Sequence, residues 1–165
     1  MKKRMLIIST ILTAFILSAC LKVGDPISTS VRSTIDYISD EEYNEVVQIA
    51  TGSPSINDFR KITFDFELEH SDDVVERNIQ FPDPDSWENT LDSIDNQKRY
   101  LTEKGEEQND PDKNFVNYHR EIIFYSKGLN NQEVEKALNA IYIDVYVDSE
   151  VGTPTDKEYR VFEAE

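Results

Sequence analysis

The chain has 165 residues, with 33 Asp and Glu against 17 Lys and Arg and a formal charge of −16. That length suits one domain with a substantial core. The charge disfavours nucleic acid and anionic membrane surfaces, and it speeds encounter with cationic partners. A single cysteine excludes an intrachain disulfide, and five glycines leave little room for a phosphate-cradling loop. The acidic residues are spread along the chain, a pattern that serves solubility as readily as recognition.

Lys2, Lys3 and Arg4 precede an apolar run from Met5 to Leu17 that is too short for a confident membrane-spanning helix. The run ends in Leu17-Ser18-Ala19-Cys20, with small residues before the cysteine. This order of basic, apolar and small residues resembles a bacterial prolipoprotein signal with its lipobox, over residues 1–20 alone. The resemblance implies removal of residues 1–19, lipidation of Cys20 on its thiol, and a protein held on the extracytoplasmic face of the cell membrane. A diacylglyceryl group carries two chains, which is what stable anchoring requires. Once acylated, Cys20 supplies no thiol for metal or redox chemistry.

Residues 20–34 are rich in Ser and Thr with little periodic apolar content, and they are expected to form a flexible tether. A single globular domain is then expected over 35–165. Ser39-Asp40-Glu41-Glu42 has the form of a capping box, and Tyr43, Val46, Val47 and Ala50 follow at helical spacing up to Gly52. From Lys61 to Glu69, Ile62, Phe64, Phe66 and Leu68 alternate with polar residues, the pattern of an antiparallel strand with one wet face. After a turn at Ser71-Asp72-Asp73, Val74 to Phe81 reads as a second strand. A short helix through Trp87, Leu91 and Ile94 is expected next, capped by Asp85 or Ser86. A strand is expected from Lys98 to Lys104, and a polar, mobile loop from Gly105 to Lys113.

Phe115 to Tyr125 reads as a strand, and Asn130 to Glu133 caps a helix that carries Val134, Ala137, Leu138 and Ile141 on one face. Ile141 to Asp148 alternates again, and a turn at Gly152 to Asp156 leads to a last strand through Tyr159, Val161 and Phe162, so the two are patterned for a hairpin. The expected class is mainly β or α+β. The expected architecture is an antiparallel immunoglobulin-like β-sandwich with two or three short helices, and the competing one is a single antiparallel sheet with the Ser39–Ala50 helix packed across it.

Motifs for chemistry are few. Asp110, Asp112 and Asn114 match the first positions of a calcium loop, but Phe115 stands where that loop needs Gly. His70 and His119 are isolated from one another in sequence, and Gly-x-Ser-x-Gly is absent. No catalytic residue, metal ligand or cofactor site is therefore assigned. Tyr142, Asp144, Tyr146 and Tyr159 are the candidate interaction face, because aromatic rings beside a carboxylate on a wet sheet face offer apolar contact area and charge together. The function expected is binding rather than catalysis: a lipid-anchored envelope protein with a protein or envelope partner, basic in character. The alternatives are an immunity or self-protection lipoprotein facing a basic toxin or peptide, and a carboxylate-dependent cell-wall hydrolase.

Overall fold

The structure, a computed structural model, describes residues 27–50 and 52–162. Seven strands form two antiparallel sheets: β1 (Ile27–Asp36), β2 (Phe59–His70), β3 (Val74–Gln80), β4 (Tyr100–Gln108), β5 (Phe115–Tyr125), β6 (Tyr142–Ser149) and β7 (Thr155–Arg160). Three helices lie between them: α1 (Asp40–Val46), α2 (Pro84–Ser93) and α3 (Asn131–Leu138). The sheet orders are β1-β2-β5-β4 and β3-β6-β7. With the strands lettered A to G along the chain these are A-B-E-D and C-F-G, the strand order of the immunoglobulin constant-type sandwich.

Strand alternation puts both cores in place. The inward residues Ile62, Phe64, Phe66 and Leu68 of β2 and Val116, Tyr118, Ile122 and Phe124 of β5 pack against Ile79 of β3 and Ile143, Val145 and Val147 of β6. The helix α2 connects β3 of one sheet to β4 of the other, and it packs against β4 and α3. Its Trp87 and Leu91 enter the same core, with the Trp87 ring 6.0 Å from that of Phe64 and its Nε1 donating to the Tyr118 hydroxyl at 3.4 Å. The helix α3 crosses from β5 to β6 and contributes Val134 and Leu138.

A second, smaller core sits on the outer face of the four-stranded sheet. Phe59 and Ile123 point away from the sandwich there, and Val46 and Tyr43 of α1 cover them with Ile38. The helix packed across a sheet is thus present within a sandwich. Ser39 caps α1 as its sequence indicates, with Oγ accepting from the Glu42 amide and the Glu42 carboxylate accepting from the Ser39 amide. Asn130 and Glu133 build the same box at α3.

Three sequence expectations are corrected. Residues 27–34, expected to belong to the tether, belong to β1, which is paired along its whole length with β2. Their Ser and Thr content does not prevent this, since β2 offers a ladder and Ile27 and Ile35 reach its inward face. Residues 20–26 of the expected tether lie outside the described residues. The strand β4 runs on to Gln108 through residues expected to be a loop, because Arg120 on β5 draws in Glu103 and Glu107 at 2.8 and 3.6 Å. Gly105 permits that approach: a Cβ there would stand 2.2 Å from the His119 carbonyl oxygen. Finally, α2 starts at Pro84 with Asp83 as its cap position rather than Asp85 or Ser86, since proline suits the first turn of a helix.

Two stability predictions follow from the cores. Phe66 is fully buried and Glu67 is exposed, so Phe66→Ala is expected to cost about 3–5 kcal/mol and Glu67→Ala well under 1 kcal/mol, read from denaturant midpoints. Equal midpoints would contradict the register of β2.

The second concerns Glu42, whose carboxylate takes Lys61 Nζ at 2.7 Å. Burial alone would raise its pKa, but the hydrogen bonds from Lys61 and Ser39 outweigh burial and hold it below 4.5. A depressed folded pKa contributes stability that is present above the unfolded value and is lost as pH falls through the folded one. Glu42→Gln keeps the capping box and removes the charge. It is expected to lower stability at pH 7 by about 1 kcal/mol or less, with the gap to the unmodified protein closing as pH falls below that range. A gap independent of pH would contradict the assignment.

Candidate functional site

The outer face of the three-stranded sheet follows from its registers. Asp144 stands between Gln80 and Glu158, Tyr146 between Asn78 and Asp156, and Asp148 beside Glu76, while Tyr142 faces Arg160. Five carboxylates thus share one face with two tyrosines, whereas the opposite face of the same strands holds the buried Ile143, Val145 and Val147. Arg160 is the one cation in these rows. Its guanidinium lies 5.7 Å from the Tyr142 ring centroid and donates to Glu158 and to the Asn139 carbonyl, both at 2.8 Å. The Tyr146 hydroxyl is pushed above its ordinary pKa of 10.0 by desolvation and then by the charges of Asp148, Glu76 and Asp156. The carboxylate charges add to the effect of desolvation in the same direction.

A cleft of about 440 Å³ adjoins the upper end of this face. Asp144 and Tyr142 form its sheet side, Gln80, Phe81 and Asp83 come from the end of β3 and the turn after it, and Ser86, Asn89 and Thr90 come from the side of α2 that Trp87 and Leu91 do not use. The lining is two carboxylates, amides and hydroxyls around two aromatic rings. Such a lining can hold a guanidinium or ammonium group by charge and by its hydrogen-bond acceptors, with the Tyr142 ring as a flat apolar wall.

Of the four residues expected to share the interaction face, three do. Tyr159 does not. It lies opposite Ile143, on the inward face, with its ring 5.6 Å from Phe66 and its hydroxyl 3.1 Å from Thr29 Oγ1. Directly opposed residues of an antiparallel pair share a face, and the hairpin register therefore turns Tyr159 into the core edge. Asp83 stands out in the sequence only as part of an acidic cluster with Asp85 and Glu88, and Gln80 carries no signal. A proline-flanked aspartate after a strand signals a turn, but nothing in the sequence says that this turn meets Asp144. Cys20 lies outside the described residues.

The remaining polar clusters are internally satisfied. Arg77 donates to the Asp110 and Lys113 carbonyls at 2.8 Å and to Asn109 Oδ1 at 3.1 Å, so a guanidinium fills the turn that resembles the start of a calcium loop. His119 Nδ1 pairs with Asp65 Oδ1 at 2.7 Å, while His70 meets Arg77 and the Ser71 carbonyl. Among the described residues no three His, Cys, Asp or Glu side chains are grouped to hold a metal ion, and no helix is long and apolar enough to cross a membrane. Compared with models of protein families, with curated proteins and with solved structures, the chain matches none.

Proposed function

We propose that this protein is a lipid-anchored interaction protein of the bacterial envelope, and that it docks a basic partner on the outer face of the β3-β6-β7 sheet. The observation that carries the reading is the placement of Asp144 and Asp83 in one cleft at the end of a sheet face that also carries Glu158, Asp156, Asp148 and Glu76. Charge of one sign around a concave, partly dehydrated site attracts a cation more strongly than the same charge spread on a convex surface. A lysine or arginine side chain of the partner enters the cleft, and Tyr142 and Tyr146 supply contact area around it. An immunity or self-protection role against a basic toxin or peptide is one form of this function.

The probe is an arginine-rich decapeptide, with association measured at low and at physiological salt. Binding is expected to weaken as salt rises, since exposed charges are screened beyond about 8 Å at physiological ionic strength. Asp144→Lys is expected to weaken it about tenfold or more, and Glu106→Lys, on the other sheet, far less. Equal effects of the two variants would reduce the acidic balance to a solubility device. Release of reducing ends from cell-wall glycan by the unmodified protein, abolished in Asp144→Asn, would instead identify a carboxylate-dependent hydrolase.

The anchor has its own test. Cys20→Ala is expected to abolish both incorporation of a fatty-acid analogue and retention in the membrane fraction, because the thiol is the acceptor. Equal label on variant and unmodified protein would remove the lipid from the proposal.

A further inference from the structure

The two sheets have four edges, and three carry devices that block the addition of another strand. The edge strands β3 and β4 each break register, near Val74–Glu76 and Tyr100–Thr102, and β4 presents Glu103, Lys104, Glu106 and Glu107. The edge strand β7 has only six residues, and Asp156, Lys157, Glu158 and Arg160 are charged. The fourth edge, β1, is different. It runs ten residues in unbroken register with β2, contains no Pro or Gly, and carries only Arg32 and Asp36 as charges among Ser, Thr, Val and Ile. An unprotected edge of this length is a template for strand pairing.

We infer that β1 pairs with β1 of a second copy, antiparallel and about a two-fold axis through Val31, to join the two four-stranded sheets into one. The choice of occupant and register rests on self-complementarity. Side chains that face inward must meet side chains that face inward, which restricts the two-fold to a residue position. With Val31 on the axis, Ile27 opposes Ile35 and Thr29 opposes Ser33 on the inward face, while Ser28 opposes Thr34 and Ser30 opposes Arg32 on the outward face. Every pair is apolar with apolar or hydroxyl with polar. An axis through Arg32 would set two guanidinium groups against each other, and an axis through Ser30 pairs fewer residues.

Two further observations favour a second copy. Val31 is 39% exposed although it points inward, and no strand among the described residues pairs with β1 on that side. Clefts of about 350 Å³ flank Tyr159 there, one lined by Val31, Ser33 and Phe162 and the other by Ile27, Thr29 and Lys157. The inward row of an added β1 extends over both.

Charge is the other. Two molecules of −16 repel one another over most of their surfaces, and β1 is the edge where that repulsion is least. Arg32 makes no ion pair among the described residues, and Lys157 meets only the Tyr159 ring, 4.5 Å from its centroid. In the paired state Arg32 reaches past Ser30 of the second copy toward Glu67 of that copy, two strands or about 9.6 Å away, a span that long side chains close.

The test uses the full chain in its membrane with one added cysteine and a mild oxidant. Directly opposed residues of an antiparallel pair have Cα atoms about 4.5–5.5 Å apart, within disulfide range, whereas Arg32 and its own copy stand beyond about 7 Å. Val31→Cys is expected to give a disulfide-linked dimer at least tenfold more abundant than Arg32→Cys or the exposed Lys136→Cys control. The unmodified chain reports any contribution of Cys20. Val31→Lys, which places edge charges on the two-fold axis, is expected to sediment in detergent at half the protein mass of the unmodified chain. Equal crosslinking of Val31→Cys and Lys136→Cys, or a Val31→Cys bond to a different protein, would overturn the pairing. So would a monomeric unmodified chain.

Discussion

The structure depends on removal of one face of β2 from water. Ile62, Phe64, Phe66 and Leu68 are all fully buried in one core. Phe64 touches Trp87 of α2 and Tyr118 of β5, and Phe66 touches Tyr159 of β7. Burial of an aromatic side chain of this size contributes about 1.5–3 kcal/mol, so the row is the largest single reason for the two sheets to close on each other. Closure also fixes what remains outside. The chain neighbours of Ile143 and Val145, namely Tyr142, Asp144 and Tyr146, are turned to the opposite face by strand geometry.

The charge pattern reads differently once the folded positions are known. On the four-stranded sheet several carboxylates are compensated locally: Lys61 lies between Glu42 and Glu121, and Arg120 between Glu103 and Glu107. At the start of β4 the buried Arg99 engages Asp95 and donates to the carbonyls of Tyr125 and Lys127 at 2.9 and 2.8 Å. These pairs fasten α1, β4 and β5 together. The outer face of the three-stranded sheet has Arg160 alone against five carboxylates, and its negative potential is thus uneven over the molecule even though acidic residues are even along the chain. That contrast separates a face fit for recognition from a surface fit only for solubility.

The edge strands add a constraint of their own. A seven-stranded sandwich of two open sheets leaves four edges. Bulges, charges and shortness protect β3, β4 and β7. The open β1 edge therefore stands out as the place where association is permitted, and its self-complementary row sets what it accepts.

Much of the architecture was legible from residue pattern. Alternation marked β2 and β6 and both faces of each, Phe115 to Tyr125 read as a strand, and the capping boxes at Ser39 and Asn130 marked where α1 and α3 begin, because these signals arise from contacts within a few residues. Local pattern failed where a distant partner decided the outcome. The Ser/Thr-rich residues 27–34 become a strand only because β2 offers them a ladder, and the glutamates of β4 are held by Arg120 from another strand. Tyr159 alternates correctly along β7, yet alternation does not say which face is which. The register of the β6–β7 hairpin assigned it to the core edge. The sequence by itself determined the strands β2, β5 and β6, the starts of α1 and α3, and the net charge, which are sums of local terms. The cleft between Asp83 and Asp144, the uncompensated acidic face and the open β1 edge were decided by tertiary structure, because each depends on how segments far apart in the chain meet across two sheets.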